Sequence, residues 1–300
     1  MKELVIISGK GGTGKTSLTA SFAALAGSNA VLADCDVDAA DLHLVCEPKI
    51  RERYDFSGGS RASIRPADCI GCRKCEQACR FRAIALAGPG NDLVQKTCLI
   101  DPISCEGCGV CLLVCPVKAI DFGPVINGEW YVSRTRFGPM VHARLGIAQE
   151  NSGKLVTLVR SKAREIAQKE DKPLVLIDGS PGIGCPVIAS VTGASAALVV
   201  TEPTLSGLHD LERVAELTRH FGVPTFVCLN KWDINPDLAA RIEAQARTMG
   251  LSVAGKVRYD PAATRAQIRK RAVVEYSPAG ISEDIRIIWT NLSSVLSFIP

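Results

Sequence analysis

Long hydrophobic runs are missing from this sequence. The N-terminal stretch MKELVIISGK has only a short apolar run before its glycines, too brief for the core of a signal peptide followed by a small-residue cleavage site. No segment approaches the roughly 20 apolar residues that a membrane span requires. A charge of one sign is missing as well: 35 Lys and Arg face 31 Asp and Glu, for a formal net charge of +4. The basic residues are spread along the chain rather than gathered in a stripe, which argues against nucleic acid as the main partner. Histidine is scarce, at four residues, and neither His142 nor His209 has a second histidine at ligand spacing, so both read as structural. These absences point to a cytoplasmic protein in a reducing compartment, where cysteines serve as metal ligands rather than disulfide halves.

Cysteine is what the chain has in plenty, with 13 residues. CIGCRKCEQAC supplies Cys69, Cys72, Cys75 and Cys79, and CEGCGVCLLVCP supplies Cys105, Cys108, Cys111 and Cys115. Both runs are spaced C-x2-C-x2-C-x3-C. Each is followed by a similar tail, RFRAIAL or PVKAIDF, so residues 62–122 form an internal duplication. Tetrahedral zinc usually takes two separated C-x2-C pairs, and a compact run of four suits an iron–sulfur cluster better.

The two runs resemble those of bacterial-type ferredoxins with two [4Fe–4S] clusters. In such proteins the fourth cysteine of each run ligates the other cluster. The resemblance therefore implies one cluster on Cys69, Cys72, Cys75 and Cys115, and another on Cys105, Cys108, Cys111 and Cys79. One departure stands out: Arg80 follows Cys79 where the pattern has proline, and loss of its fixed φ is expected to loosen that turn. A basic residue there, near Arg73, Lys74 and Arg82, would raise the potential of the adjacent cluster or attract an acidic partner. Cys98 lies outside both runs and reads as a small apolar strand residue.

The remaining sequence, 1–61 and 123–300, alternates strand-like runs (KELVIIS, AVLADCD, LVLIDGS, AALVVTE, TFVCLN) with helical spacing (KTSLTASFAALAG, GLHDLERVAELTRHF). Near-continuous apolar strands with helical crossovers predict an α/β fold, a mostly parallel sheet with helices on both faces. The small α+β ferredoxin-like segment interrupts that domain.

The loop ISGKGGTGKTS is open to two readings. Gly9, Gly11 and Gly14 satisfy the dinucleotide pattern G-x-G-x-x-G, with Asp34 placed 20 residues past Gly14. Gly9, Gly14, Lys15 and Thr16 also satisfy G-x-x-x-x-G-K-[ST], which demands more specific chemistry. There the backbone of Gly9, Gly11, Gly12, Thr13, Gly14 and Ser17 surrounds the phosphates, Lys15 reaches the β/γ oxygens and the Thr16 hydroxyl binds Mg²⁺. Asp178, at the end of an apolar strand, supplies the second magnesium anchor of a phosphate loop.

The form K-G-G-x-G-K-T, with Lys10 as an extra lysine, resembles the deviant Walker A loop of the MinD/ParA/Mrp ATPases. The resemblance runs through nearly the whole chain and points to the subgroup carrying an inserted ferredoxin domain. It implies a nucleotide-dependent homodimer in which Lys10 reaches the partner's phosphates, as an arginine finger does in trans. It further implies that Asp36 orients the attacking water, that Asp34 acts near Mg²⁺, that DGSPGIGCP is a switch loop, and that Asn230 reads adenine. Asp38 and Asp41 read as turn and cap residues. NKWD also fits the GTPase pattern in which Asp233 holds guanine, so GTP stays open beside the favoured ATP.

Cys185 follows Asp178 by seven residues, within the switch loop. Either it is a structural cysteine or two Cys185 thiolates meet in a dimer and bind a metal or transferable cluster. The C-terminal residues Ile281, Ile285, Ile288, Leu292, Leu296 and Ile299 fall on one helical face with no basic face opposite, predicting a helix packed on the core rather than on a membrane. Three functions follow from the whole: ATP-gated electron transfer or metallocofactor assembly with a redox or assembly partner, a cluster carrier or scaffold, or a MinD-type switch whose clusters are structural or sense oxidation.

Overall fold

The computed structural model describes residues 1–146 and 151–297. It divides into two compact units: Met1–Tyr54, Trp130–Leu145 and Ser152–Pro300 make the first, and Asp55–Glu129 with Gly146–Asn151 the second.

In the first unit, the strands β1 (Lys2–Ser8), β2 (Ala30–Asp34), β3 (Lys49–Phe56), β4 (Gly128–Thr135), β5 (Gly138–Leu145), β6 (Leu174–Pro181), β7 (Ala196–Thr201), β8 (Thr225–Asn230) and β9 (Ser252–Val257) form one sheet. Their order is β9-β8-β7-β1-β6-β2-β5-β4-β3. Every pair from β9 to β5 is parallel. The predicted mostly parallel α/β fold is therefore what forms, and β1 explains why: Leu4, Val5, Ile6 and Ile7 are all fully buried. Leu4 and Ile6 enter a cluster with Leu18 and Phe22 of α1 (Lys15–Ala26), while Val5 and Ile7 point to the opposite face.

Further helices used below are α2 (Leu42–Cys46), α3 (Ser152–Lys169), α4 (Cys185–Val191), α5 (Leu205–His220) and α6 (Ile281–Leu296). Glu3 of β1 is buried and paired with Arg160 and Arg164 of α3. Arg160 also donates to the carbonyls of Ala189 and Thr192 at the end of α4. The chain's first strand and α4 are thus joined through one guanidinium.

Helix α6 buries Ile281, Ile285, Ile288, Leu292 and Leu296, the predicted apolar face, and adds Trp289, which lies 5.3 Å from the Phe22 ring. Ile299 lies outside the described residues. The helix meets β9 at Gly255, where an added Cβ would stand 2.6 Å from Ile288 Cγ1. Gly255→Ala is accordingly expected to cost about 1–3 kcal/mol through overpacking. A urea or thermal midpoint equal to wild type would contradict that packing. Among the described residues, no helix is long and apolar enough to cross a membrane.

The second unit holds two antiparallel strand pairs, Gly59–Ile64 with Ile120–Val125 and Ile84–Gly88 with Thr97–Ile100, and the short helices Lys74–Ala78 and Val110–Val114. Its backbone repeats at an offset of 36 residues. Positive φ angles recur at Gly71 (63°) and Gly107 (62°), at Arg73 (59°) and Gly109 (74°), and at Arg82 (54°) and Lys118 (52°). The turn expected to loosen at Arg80 does not. Cys79 has φ −80° and ψ 101° and Cys115 φ −78° and ψ 109°. Arg82 N–H donates to the Cys79 carbonyl at 3.2 Å, as Lys118 N–H does to Cys115 at 3.3 Å. The same hydrogen bond closes both turns, so the proline ring is dispensable.

Candidate functional site

The glycine loop leaves the end of β1 and enters α1 with Gly12 at φ 76° and Gly14 at φ 92°, the left-handed region that side chains avoid. Gly14 is doubly constrained, since a Cβ there would meet Asn230 Nδ2 at 2.5 Å. Gly9 has a different reason: its Cβ would fall 2.1 Å from Asp210 Cβ on α5. The Thr13 hydroxyl is buried and has no hydrogen-bond partner. An orphaned donor in a loop of this shape suits a bound anion.

Three carboxylates converge behind the loop. Asp34, the last residue of β2, and Asp178, within β6, are direct register partners on adjacent strands, both fully buried. Burial, and for Asp34 the neighbouring charge of Asp178, pushes both carboxyls above the usual range. Lys15 and the Thr16 hydroxyl oppose that rise at Asp178; Thr16 Oγ1 donates to Asp178 Oδ2 at 2.7 Å. A hydroxyl and a carboxylate so joined, beside a second carboxylate, form a hard oxygen donor set of the kind Mg²⁺ takes. Asp36 lies with one carboxylate oxygen 3.7 Å from Lys15 Nζ, and burial outweighs that lysine to push it up to about 6. Asp41 stands at the N-cap position of α2 but its side chain makes no capping bond. Asp34 Oδ2 accepts the Leu42 N–H instead, at 3.3 Å, and Oδ1 accepts from Asp36 N–H at 3.2 Å. The cap that sequence spacing assigned to Asp41 is made by a residue eight positions before Leu42, because the loop folds back over β2.

On the other side of the loop lies a cavity of about 770 Å³ of empty space, part of it open to solvent, whose walls include Gly12, Gly14, Asn230, Lys231, Tyr259 and Gln267. Asn230 Nδ2 donates to the Thr13 carbonyl at 2.7 Å, and its Oδ1 accepts from Lys231 N–H at 3.0 Å. One amide proton and one lone pair stay available for a ligand. Asp233 is not among the cavity's walls, and its Oδ1 accepts the Tyr259 N–H at 2.7 Å. Lys10 sits in its own chain against Glu202, at 3.3 Å, and Thr204 Oγ1, at 3.4 Å. Glu202 also holds Lys231. Sequence reasoning missed Glu202, since nothing in TEPT marks it as a counter-ion to a residue 192 positions away.

In the second unit, one cavity is lined by Cys69, Cys72, Cys75 and Cys115, with Cys98 beside them. The other is lined by Cys79, Cys105, Cys108 and Cys111. The fourth cysteine of each run thus stands with the first three of the other. The correspondence extends along the walls at the 36-residue offset: Ile64 matches Ile100, Val117 matches Phe81, and Ala119 matches Ala83. Among the described residues, no three His, Cys, Asp or Glu gather closely enough to hold a single metal ion. Four thiols around one cavity are the donor set that a [4Fe–4S] cluster takes.

Cys185 is exposed at the start of α4. Cys35, Cys46 and Cys228 are buried in the first unit, as core residues should be. His142 is pushed down to about 4 by burial and by His43, and bonds the Ser133 hydroxyl at 2.9 Å. His209 is exposed, with Nδ1 4.0 Å from Asp210.

Residues 4–273 match the CobQ/CobB/MinD/ParA nucleotide binding domain. An uncharacterized protein of Methanocaldococcus jannaschii is 35% identical over 236 residues, covering 78% of this chain and 79% of its own. A component of the ion-translocating oxidoreductase complex of Methanosarcina acetivorans is 31% identical over 84 residues, covering 28% of this chain and 27% of its own. Among solved structures, the septum site-determining protein MinD of Pyrococcus horikoshii, complexed with Mg-ADP, superposes with a TM-score of 0.59 at 16% identity, covering 98% of this chain and 96% of that one. Aquifex aeolicus MinD in its complex with MinC gives 0.59 at 18% identity, with the same coverage.

Proposed function

This chain belongs to the CobQ/CobB/MinD/ParA nucleotide-binding family, and from that premise we propose that it is a Mg²⁺-dependent ATPase whose nucleotide state gates electron transfer through two [4Fe–4S] clusters. The observation that carries the redox half is the crossed sorting of eight thiols into two matched cavities. When bound, such clusters supply one-electron carriage. The cysteines would hold them, and the buried positions of Cys69, Cys75 and Cys111 would keep water from part of each. The resemblance of one stretch to a component of an oxidoreductase complex supports a redox partner.

At the nucleotide, the loop N–H groups and Lys15 bind the phosphates, and Thr16 and Asp178 would hold magnesium, which offsets charge on their oxygens. Asp36, beside Lys15, orients the attacking water. Lys10 leaves Glu202 and acts on the phosphates of a second copy, so that hydrolysis requires a homodimer. Asn230 offers its free proton and lone pair to adenine. ATP is preferred over GTP because Asn230 lines the cavity and Asp233, whose Oδ1 accepts the Tyr259 N–H, does not.

The test is the anaerobic ATPase rate with the clusters reduced and then oxidised, alongside an assay for cluster transfer to an apo-protein. A severalfold difference between redox states without transfer is expected. Equal rates without transfer would leave a MinD-type switch, and transfer would make the chain a cluster carrier or scaffold.

A further inference from the structure

We infer that Cys98 is a reserve ligand of the first cysteine cavity, placed to take over the iron that Cys75 would hold. This rests on the two-cluster reading above. The first cavity has five thiols on its wall and the second has four. A [4Fe–4S] cluster engages four, so one thiol is surplus in the first cavity and none in the second. Cys98 is on the strand Thr97–Ile100 and is 2% exposed. It shares that wall with Cys75 and with Arg73, inside the turn between Cys72 and Cys75, and packs with Cys75 in one buried cluster. It therefore stands next to the ligand it would replace.

The duplication provides its own control. At the 36-residue offset Cys98 corresponds to Ala62, and Ala62 lines the second cavity in the matching place. The cysteines correspond one for one, and at this position the two walls differ by a thiol in one and a methyl group in the other. The exchange moves no electrons: the Fe–S bond to Cys75 breaks, the departing Cys75 thiolate takes up the proton that the Cys98 thiol gives up, and the Cys98 thiolate bonds the iron.

The experiment measures iron content and the electron paramagnetic resonance of the reduced, anaerobically purified full chain. Wild type should hold about eight iron atoms per chain and Cys111→Ala about four. Cys75→Ala should keep about eight, with an altered resonance for one cluster, and Cys75→Ala/Cys98→Ala should fall to about four. Adding Ala62→Cys to Cys111→Ala should restore the second cluster. The inference is overturned if Cys75→Ala loses a cluster as Cys111→Ala does, if the double variant keeps both, or if Cys98→Ala alone loses one. Circular dichroism and nucleotide binding by the first unit check that each variant is folded. A wild-type chain without iron would instead refute the two-cluster reading.

Discussion

Lys10→Ala is expected to lower ATP turnover by about 10³–10⁵-fold, the range found when a cation supplied in trans to a transferring phosphoryl group is removed. Nucleotide affinity of the isolated chain should barely change, because the proposed function assigns those contacts to Lys15 and the loop backbone of one copy. Lys10 is now held by Glu202 at 3.3 Å with its side chain one-third exposed. An ion pair of that kind contributes roughly 0–1 kcal/mol, so its release is a minor cost of dimer closure. Mixing decides whether the lysine acts across an interface. Lys10→Ala and Asp36→Ala chains, each inactive alone, should together recover about a quarter of wild-type turnover, since half of randomly paired dimers are mixed and each mixed dimer has one complete site. No recovery on mixing would place Lys10 at its own phosphates and remove the dimeric mechanism.

Asp178→Asn is expected to reduce Mg²⁺-dependent hydrolysis by about 10²–10³-fold, as loss of one preorganised electrostatic contact does, while making the nucleotide-free protein more stable. Asp34 and Asp178 are buried as like charges on adjacent strands, and both carboxyls are raised above the ordinary aspartate value of 3.8. The folded chain thus binds more protons than the unfolded one above that pH, and stability declines as pH rises from there through the raised values. The amide side chain would carry no charge and would relieve Asp34. The variant's gain in thermal midpoint over wild type should therefore be larger at pH 8 than at pH 5, measured without nucleotide or magnesium. A variant that hydrolyses normally would exclude Asp178 from the metal site, and an equal gain at both pH values would exclude the charge repulsion. On the proposed function, retaining such an acid would trade stability for a site that a divalent cation completes.

The elements were legible because their signals are local. β1 reads as a doubly buried strand from four consecutive apolar residues, α6 from its 3.6-residue spacing, and the glycine loop from residues that must adopt positive φ or approach another backbone. The turn after Cys79 shows where such reading fails: proline was expected to hold it, yet an N–H to carbonyl bond three residues long does the same work at Arg80. Asp41 failed likewise, because spacing identifies the cap position but not which side chain reaches it.

The cysteine spacing, the duplication and the phosphate-loop motif were properties of the sequence by itself, the motifs each encoded within about a dozen residues. Only the tertiary structure decided that Cys98 faces the first cavity while Ala62 faces the second, that Glu202 holds Lys10, that Asn230 braces Thr13, and that Asp34 meets Asp178. Those pairings join residues far apart in the chain, and they depend on strand order and register, which many distant contacts set together and no short segment specifies.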